Sequence, residues 1–253
     1  MALFEVNCFS GVLGEGVRFN VILPQRSTSG QIGIENKSAD KYPVLYLLHG
    51  LSDDETTWLR RTSIERYATE KGIAVVMPTT HRGWYLDSAK GNFYTFIGKE
   101  LPMLVAEFFP SISTDREHTF IAGLSMGGYG ALRFALSMPD KYAAAAALSG
   151  AFDINAPSRK AQLINEHVIE SDQSGTENDV YYLAQRLHDR GENKPAVFMW
   201  CGTEVSLLND NRRMRDLMEK CGYELQYSES SGNHSWKYWD EQIQKVLDWL
   251  PLD

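Results

Sequence analysis

The sequence has few cysteines, no surplus of basic residues and no long apolar run. Its 253 residues include only Cys8, Cys201 and Cys221, an odd number without Cys-x-x-Cys spacing, which argues against a disulfide framework or a zinc site. A reducing compartment is the simplest setting for such a chain, so we predict a cytoplasmic location. The amino terminus lacks a basic region followed by an apolar stretch, and we expect no signal peptide. No apolar run reaches the length that a bilayer requires, so we expect no membrane partner.

The charge balance of the chain is acidic. Asp and Glu number 33 against 25 Lys and Arg, which gives a net charge of −8 at pH 7. Such a balance argues against nucleic acid or an anionic membrane surface as a partner. Hydrophobic residues make up 43% of the chain and charged residues 23%, as in an ordinary globular protein. The length suits a single domain over residues 1–253.

Short apolar runs alternate with segments of helical spacing along most of the chain. This alternation is typical of βαβ units, so we predict an α/β fold with a mostly parallel central sheet and helices on both faces. Residues 151–195 interrupt the alternation and are predicted to be a small cap insertion, with a surface excursion as the competing interpretation. Residues 25–41 are predicted to be an exposed loop. The predicted strands are 4–10 and 17–23, which form a hairpin, then 43–48, 73–77, 120–122, 143–148, 197–200 and 223–227. The predicted helices are 64–71, 93–109, 128–138, 210–220 and 236–250.

Residues 123–127 read Gly-Leu-Ser-Met-Gly and carry the strongest functional signal. They fit the G-x-S-x-G nucleophile elbow, in which a serine sits on a sharp turn between a strand and a helix. The context also fits, because an apolar strand-like run precedes the motif and a helical pattern follows it. Glycines are needed where the strand and the helix nearly touch, and the helix N-terminus favours developing negative charge. We predict that Ser125 is the nucleophile of a hydrolytic enzyme.

A serine hydroxyl is a weak nucleophile and needs a general base. In this architecture the base is a histidine in a late loop, after the acid in chain order. His234 lies in a glycine-containing loop between the last predicted strand and the last predicted helix, so we predict that it is the base. His49 ends a predicted strand, where we expect a buried side chain with a structural hydrogen bond.

The tetrahedral intermediate of acyl transfer needs backbone N–H donors. One comes from the residue after the nucleophile, Met126, and the other from the loop after an early central strand, where Gly50 and Leu51 fall. We assign the oxyanion hole to the amides of Leu51 and Met126. The reaction needs no metal or cofactor.

Three carboxylates are candidates for the acid of a triad. The acid should follow the strand at 197–200, and Glu204 and Asp210 lie there, while Asp153 is more distant. Glu204 is nearest the strand end and is our predicted acid, with a solvated turn carboxylate as the competing interpretation. Asp210 is better placed to cap the helix that follows it.

Together these motifs resemble those of the esterase D and S-formylglutathione hydrolase family, in its tributyrin esterase branch. The matching stretches spread over nearly the whole chain and are residues 43–50, 83–85, 120–130, 200–202 and His234. The resemblance implies an α/β-hydrolase fold and a Ser-Asp-His esterase of short acyl esters, with nucleophile and base at Ser125 and His234. It also allows a homo-oligomer.

One position departs from the pattern of that family. In related sequences the triad aspartate follows the Cys-Gly turn, at the position that aligns with Val205. A valine can neither orient a histidine nor stabilise its charge, and a wrong partner at this place costs a serine protease about 10⁴ in rate. Three interpretations stay open. Glu204 substitutes after a local shift of the turn, or the protein is a weak or inactive hydrolase that kept the fold, or Val205 is an introduced change in an otherwise active enzyme.

Trp58, Trp84 and Tyr85 fall in or near loops on the predicted active-site edge. We predict that they contact the substrate, with packing beneath the cap as the competing interpretation. The expected activity is that of a serine carboxylesterase on short-chain acyl esters, including acetylated sugars and phenolic esters. S-formylglutathione hydrolysis and acyl transfer to an alcohol use the same residues and are alternatives. A catalytically impaired binding protein on a hydrolase scaffold is the alternative of another class, and Val205 is its only support.

Overall fold

A computed structural model of the chain describes residues 1–25 and 39–252. Within these residues an eight-stranded sheet forms the centre of the fold, in the order β1-β2-β4-β3-β7-β8-β9-β10. From β4 to β10 all neighbouring strands are parallel, whereas β2 runs antiparallel to both β1 and β4. The predicted mostly parallel α/β fold and the amino-terminal hairpin are therefore confirmed. Most of the loop predicted at 25–41 lies outside the described residues.

The strands of the sheet are short and apolar, except at its two edges. A separate small hairpin, β5 with β6, follows β4 in the chain. The strand bounds are β1 Ala2–Ser10, β2 Glu15–Leu23, β3 Val44–Leu48, β4 Ala74–Pro78, β5 Asp87–Ser88, β6 Gly91–Asn92, β7 Thr119–Leu124, β8 Ala144–Leu148, β9 Ala196–Gly202 and β10 Leu225–Ser230.

Helices connect the parallel strands and cover the sheet. A π-helix at Phe96–Glu100 and a 3₁₀ turn at Arg116–His118 stand beside the α-helices. The α-helices are α1 Thr57–Arg61, α2 Ile64–Lys71, α3 Phe93–Thr95, α4 Leu101–Phe108, α5 Met126–Ser137, α6 Pro157–Asn165, α7 Val180–Asp189, α8 Leu208–Lys220 and α9 Trp236–Trp249.

The helix predicted at 93–109 is the one element that the structure divides, into α3, the π-helix and α4. Pro102 lies in the first turn of α4 and has no N–H to donate to the carbonyl of Gly98 four residues before it. That carbonyl accepts a hydrogen bond from Lys141 Nζ at 2.7 Å instead. A tertiary contact thus replaces the helical one, and the backbone widens locally.

The sheet is buried on both faces. Each face of the sheet has its own hydrophobic core, and neighbouring side chains of β3 point into different cores. Tyr46 packs into the core that includes α4, α5, α7 and α8, whereas Leu45 packs into the core that includes α1, α2 and α9. Strands that are covered twice need apolar side chains on both faces, which explains their continuous apolar runs. No α-helix in the described part of the chain has both the length and the apolar character needed to cross a bilayer.

The segment 151–195 holds α6 and α7 and contacts the rest of the molecule through arginines. Arg82 forms a bidentate ion pair with Glu166, and Arg159 lies 3.6 Å from Asp210. Buried Arg133 on α5 donates to the side chain of Asn178 at 2.5 Å. These contacts fix the segment against the carboxyl-terminal side of the sheet, and its role as a cap stays a prediction.

Candidate active site

Ser125 occupies the sharp corner between β7 and α5. Its backbone has φ 54° and ψ −115°, a conformation that non-glycine residues rarely adopt and that requires strong support from the surroundings. The glycines on each side allow that support. A Cβ on Gly123 would lie 2.3 Å from the carbonyl oxygen of Gly127, and one on Gly127 would lie 2.6 Å from that of Leu48. The side chain of Ser125 remains partly accessible at this corner.

His234 lies in the turn between β10 and α9, and its imidazole faces Ser125. The distance between His234 Nε2 and Ser125 Oγ is 3.0 Å, which is within hydrogen-bond range. The structure therefore brings together the two residues that the sequence marked as nucleophile and base, although 109 positions separate them in the chain. This contact gives the serine hydroxyl an acceptor for its proton.

His234 combines exposure to solvent with close packing of its ring. The residue is exposed to solvent, yet the surrounding burial lowers the pKa of its side chain below the ordinary value of 6.5. Its ring meets the ring of Trp239 edge to face, with centroids 4.8 Å apart. A lowered pKa keeps the imidazole neutral near pH 7, which is the state that a general base requires.

The structure does not bring Glu204, the predicted acid, into contact with His234. Its side chain is exposed and accepts a hydrogen bond from Ser231 Oγ at 2.8 Å. The other two candidates, Asp210 and Asp153, also have other partners. The carboxylate of Asp210 accepts hydrogen bonds from Tyr181 Oη and from the backbone amide of Asp153. The carboxylate of Asp153 forms an ion pair with Arg213. Among the described residues, no carboxylate forms a hydrogen bond or an ion pair with His234.

Val205 lies in the turn that follows β9, and only 6% of its surface is exposed. A Cβ on Gly202 would meet both Val205 Cγ2, at 3.2 Å, and the carbonyl oxygen of Gly232, at 2.2 Å. The turn is further joined to the histidine loop by a hydrogen bond from the Glu204 amide to Gly232 O at 3.1 Å. An apolar side chain thus fills the space where the β9 turn packs against the loop of His234.

The predicted oxyanion donors lie on the two turns that meet at Ser125. Met126 is the first residue of α5, so its amide has no acceptor within the helix. Leu51 lies in the turn after β3, and its amide donates to no described backbone acceptor. Neighbouring His49 is buried and accepts from the Thr80 amide at 3.0 Å; burial lowers its pKa to about 4. His49 is therefore neutral and supports this turn, as expected.

The structure does not support substrate contacts by the three aromatic residues that the sequence suggested. Trp58, Trp84 and Tyr85 expose 1%, 3% and 0% of their surface. Trp58 donates to the carbonyl of Leu48 at 3.1 Å and Tyr85 to that of His49 at 2.8 Å. Trp58 on α1 and Tyr85 thus support the end of β3 from opposite faces of the sheet, and Trp84 packs on Tyr129, with ring centroids 5.8 Å apart. This matches the competing interpretation of packing.

Trp239 is a site residue that the sequence reasoning missed. It lies on the first turns of α9 and is 5% exposed. The signal that could have found it is the spacing of Trp236 and Trp239, three residues apart on a helix that begins directly after the histidine loop. Within the described residues, no group of three or more His, Cys, Asp and Glu side chains is arranged to hold a metal ion.

Comparisons with known proteins agree with this geometry. The model of a family described as "Putative esterase" matches residues 10–250. The chain is 28% identical to an acetyl esterase of Caldicellulosiruptor saccharolyticus over 263 residues, which covers 99% of this chain and 98% of the relative.

Solved structures give the same result. The fluorophosphonate-binding serine hydrolase FphF of Staphylococcus aureus shares 33% identity, a TM-score of 0.87 and coverage of 100% of this chain and 99% of its own. An S-formylglutathione hydrolase (FrmB), also from Staphylococcus aureus, shares 34% identity, a TM-score of 0.85 and coverage of 98% of each chain. The chain belongs to this esterase family, the esterase D group of the α/β-hydrolase fold, and is a serine carboxylesterase.

Proposed function

We propose that this esterase hydrolyses short-chain acyl esters through an acyl-enzyme on Ser125, with His234 as general base. The observation that carries the proposal is the 3.0 Å contact between His234 Nε2 and Ser125 Oγ at a strained corner. Such a corner presents the hydroxyl outward and places it beside the amino terminus of α5. The amides of Leu51 and Met126 stand on the two adjoining turns and serve as the oxyanion donors.

The reaction proceeds in two halves. Ser125 Oγ attacks the ester carbonyl carbon while its proton moves to His234 Nε2, and the amides of Leu51 and Met126 stabilise the oxyanion. The intermediate collapses as His234 returns the proton to the leaving alcohol. Water then gives a proton to His234 and attacks the acyl-enzyme. As this second intermediate collapses, His234 returns the proton to Ser125 Oγ and the carboxylic acid leaves.

We further propose that turnover is slow, because His234 lacks a carboxylate partner. A triad acid holds the imidazole in the tautomer that leaves Nε2 free to accept a proton, and it stabilises the imidazolium that forms. Here the β9 turn presents Val205 instead, and Glu204 points to Ser231. Loss of this support in a serine protease lowers the rate by about 10⁴.

The preferred substrate class is esters of acetic and butyric acids, including acetylated sugars and phenolic esters. Similarity to an acetyl esterase supports acetyl groups. Similarity to an S-formylglutathione hydrolase favours a glutathione thioester as second candidate. That substrate carries two carboxylates and calls for free basic side chains, but Arg82 is already paired with Glu166. A cytoplasmic location belongs to the same proposal, and the three unpaired cysteines support it.

One experiment tests the proposal. Turnover of p-nitrophenyl acetate and butyrate is measured for the protein, for Ser125→Ala and for Val205→Asp. We expect the serine variant to be inactive and the valine variant to be faster by about 10²-fold or more. Full activity of Ser125→Ala would exclude the acyl-enzyme, and brisk, equal turnover by the protein and Val205→Asp would show that His234 needs no carboxylate at this position.

A further inference from the structure

We propose that Trp239 is a positioning residue that holds the imidazole of His234 toward Ser125, in place of a carboxylate. This inference rests on the proposed function, since it takes His234 as the base. Within the described residues, the ring of His234 has one hydrogen-bond partner, the hydroxyl of Ser125, and one aromatic contact, the ring of Trp239. The first partner is the group that reacts, so the second is the contact available to fix the imidazole before reaction.

The geometry of the contact suits this role. The His234 and Trp239 rings are nearly perpendicular, at 89°, with centroids 4.8 Å apart. Perpendicular aromatic pairs at this distance are favourable and restrict ring rotation. The contact therefore orients the neutral base before it accepts the serine proton.

Trp239 is itself held by a row of tryptophans, Trp58, Trp236 and Trp239. Trp236 meets Trp239 at 5.4 Å and Trp58 at 5.0 Å, both edge to face. Trp58 is anchored by its indole N–H, which donates to the Leu48 carbonyl at the end of β3. The row thus connects the strand that leads to the oxyanion turn with the base, so that both sides of the site share one rigid support.

The indole N–H of Trp239 has no acceptor among the described residues, although the side chain is buried. Buried tryptophans normally satisfy this donor. A purely structural role would favour a phenylalanine or leucine here, which bury the same kind of surface without an unpaired donor. An indole lies beside His234 despite that cost.

The test compares kcat and KM for p-nitrophenyl acetate in Trp239→Phe and Trp239→Leu. Trp239→Leu removes the aromatic ring, and we expect kcat to fall about 10-fold with KM nearly unchanged. Trp239→Phe keeps an edge-to-face partner and should recover most of that loss. Trp249→Leu is the matched control, because it deletes an indole of the same helix that packs on Phe198, at 5.6 Å, outside the site. Its kcat should stay at the parent value.

A second comparison repeats the Trp239 variants in the Val205→Asp background. A carboxylate that binds the imidazole takes over its orientation, so the loss caused by Trp239→Leu should shrink to about 3-fold or less. The proposal would be overturned if Trp239→Leu lowered kcat equally in both backgrounds, or if Trp239→Phe and Trp239→Leu lowered kcat equally. Either result would show that Trp239 acts only through packing. An unchanged kcat in Trp239→Leu would do the same.

Two controls keep these outcomes distinct. Thermal unfolding and the amount of Ser125 labelled by a fluorophosphonate at long times report the folded fraction. Trp239→Met, whose unbranched side chain adapts to an irregular space, replaces the Leu variant if that one unfolds. Ser125→Ala and His234→Ala are measured beside them. Activity in those two would refute the proposed function, whereas their inactivity with an unaffected Trp239→Leu would refute the role of Trp239 alone.

Discussion

At the scale of single residues, the behaviour of the site depends on what surrounds His234. Burial acts alone on this imidazole and lowers its pKa, because no described carboxylate offsets it. Val205 fills the adjoining turn with an apolar side chain. The base is therefore correctly placed for Ser125 but weakly basic, and it lacks the support that a carboxylate would give its protonated form. A weak base lowers the rate of proton transfer even where the geometry is right.

The pH dependence of turnover tests this interpretation. In the protein as it stands, kcat/KM should rise with pH as His234 loses its proton, with a midpoint below the ordinary histidine pKa of 6.5. In Val205→Asp the new carboxylate favours the imidazolium and raises the pKa of His234, so the midpoint should move to higher pH while the plateau increases. The measurement is a kcat/KM profile from about pH 4.5 to 8 for both proteins. A midpoint that moves down or stays fixed would contradict a contact between the new carboxylate and His234.

At the scale of secondary-structure elements, the site depends on the close approach of α5 to the end of β3. Gly127 lies where the helix passes over the carbonyls of Leu48 and His49. The same approach brings the turn of Leu51 next to the first amide of α5. A separation of these two elements would therefore pull the oxyanion donors apart as well as loosen the core.

Gly127→Ala should show this coupling. Its Cβ would lie 2.6 Å from the backbone oxygens of both Leu48 and His49, which cannot move without shifting β3. We expect a loss of about 1–3 kcal/mol in the free energy of unfolding together with a large loss of turnover. Gly16→Ala is the control, since a Cβ there meets nothing nearer than 4.0 Å. Thermal unfolding and p-nitrophenyl acetate turnover measure both effects, and a Gly127 variant that behaves like the control would refute the coupling.

The sequence was informative about these elements where local chemistry fixes the structure. A strand, a glycine-flanked serine and a helix point to one kind of corner, and chain order then places His234. The burial of Trp84 and Tyr85 could not be predicted from the sequence. It depends on their own backbone conformations, with φ of 53° and 58°, which turn the loop inward. The division of the helix at 93–109 was equally hidden, since it involves a lysine about 40 positions away in the chain. The direction of Glu204 depends likewise on contacts with a distant loop.

At the scale of the whole molecule, the charge of the protein should influence which esters reach the site. The net charge is −8 at pH 7, and several of the arginines on the active-site side are neutralised by ion pairs. A negative field repels anionic substrates and leaves neutral ones unaffected. Neutral acetyl esters should therefore be favoured over glutathione thioesters at low ionic strength.

Salt dependence measures this effect. We expect kcat/KM for an anionic ester, p-nitrophenyl hemisuccinate, to rise several-fold from about 10 mM to 0.5 M NaCl, since salt screens the repulsion. The value for neutral p-nitrophenyl acetate should change by less than about twofold. A fall for the anionic ester with added salt would reveal a basic cluster at the site and would favour the thioester candidate.

The long separation of Ser125 and His234 also has a consequence for the folding of this protein. The two residues are 109 positions apart, and their meeting requires β8, β9 and β10 to pair in order beside β7. Contacts of such high sequence separation form late, because the entropy of closing the chain must be offset first. Esterase activity therefore appears only in molecules whose carboxyl-terminal half has docked, and its recovery during refolding marks the completion of the sheet rather than its nucleation.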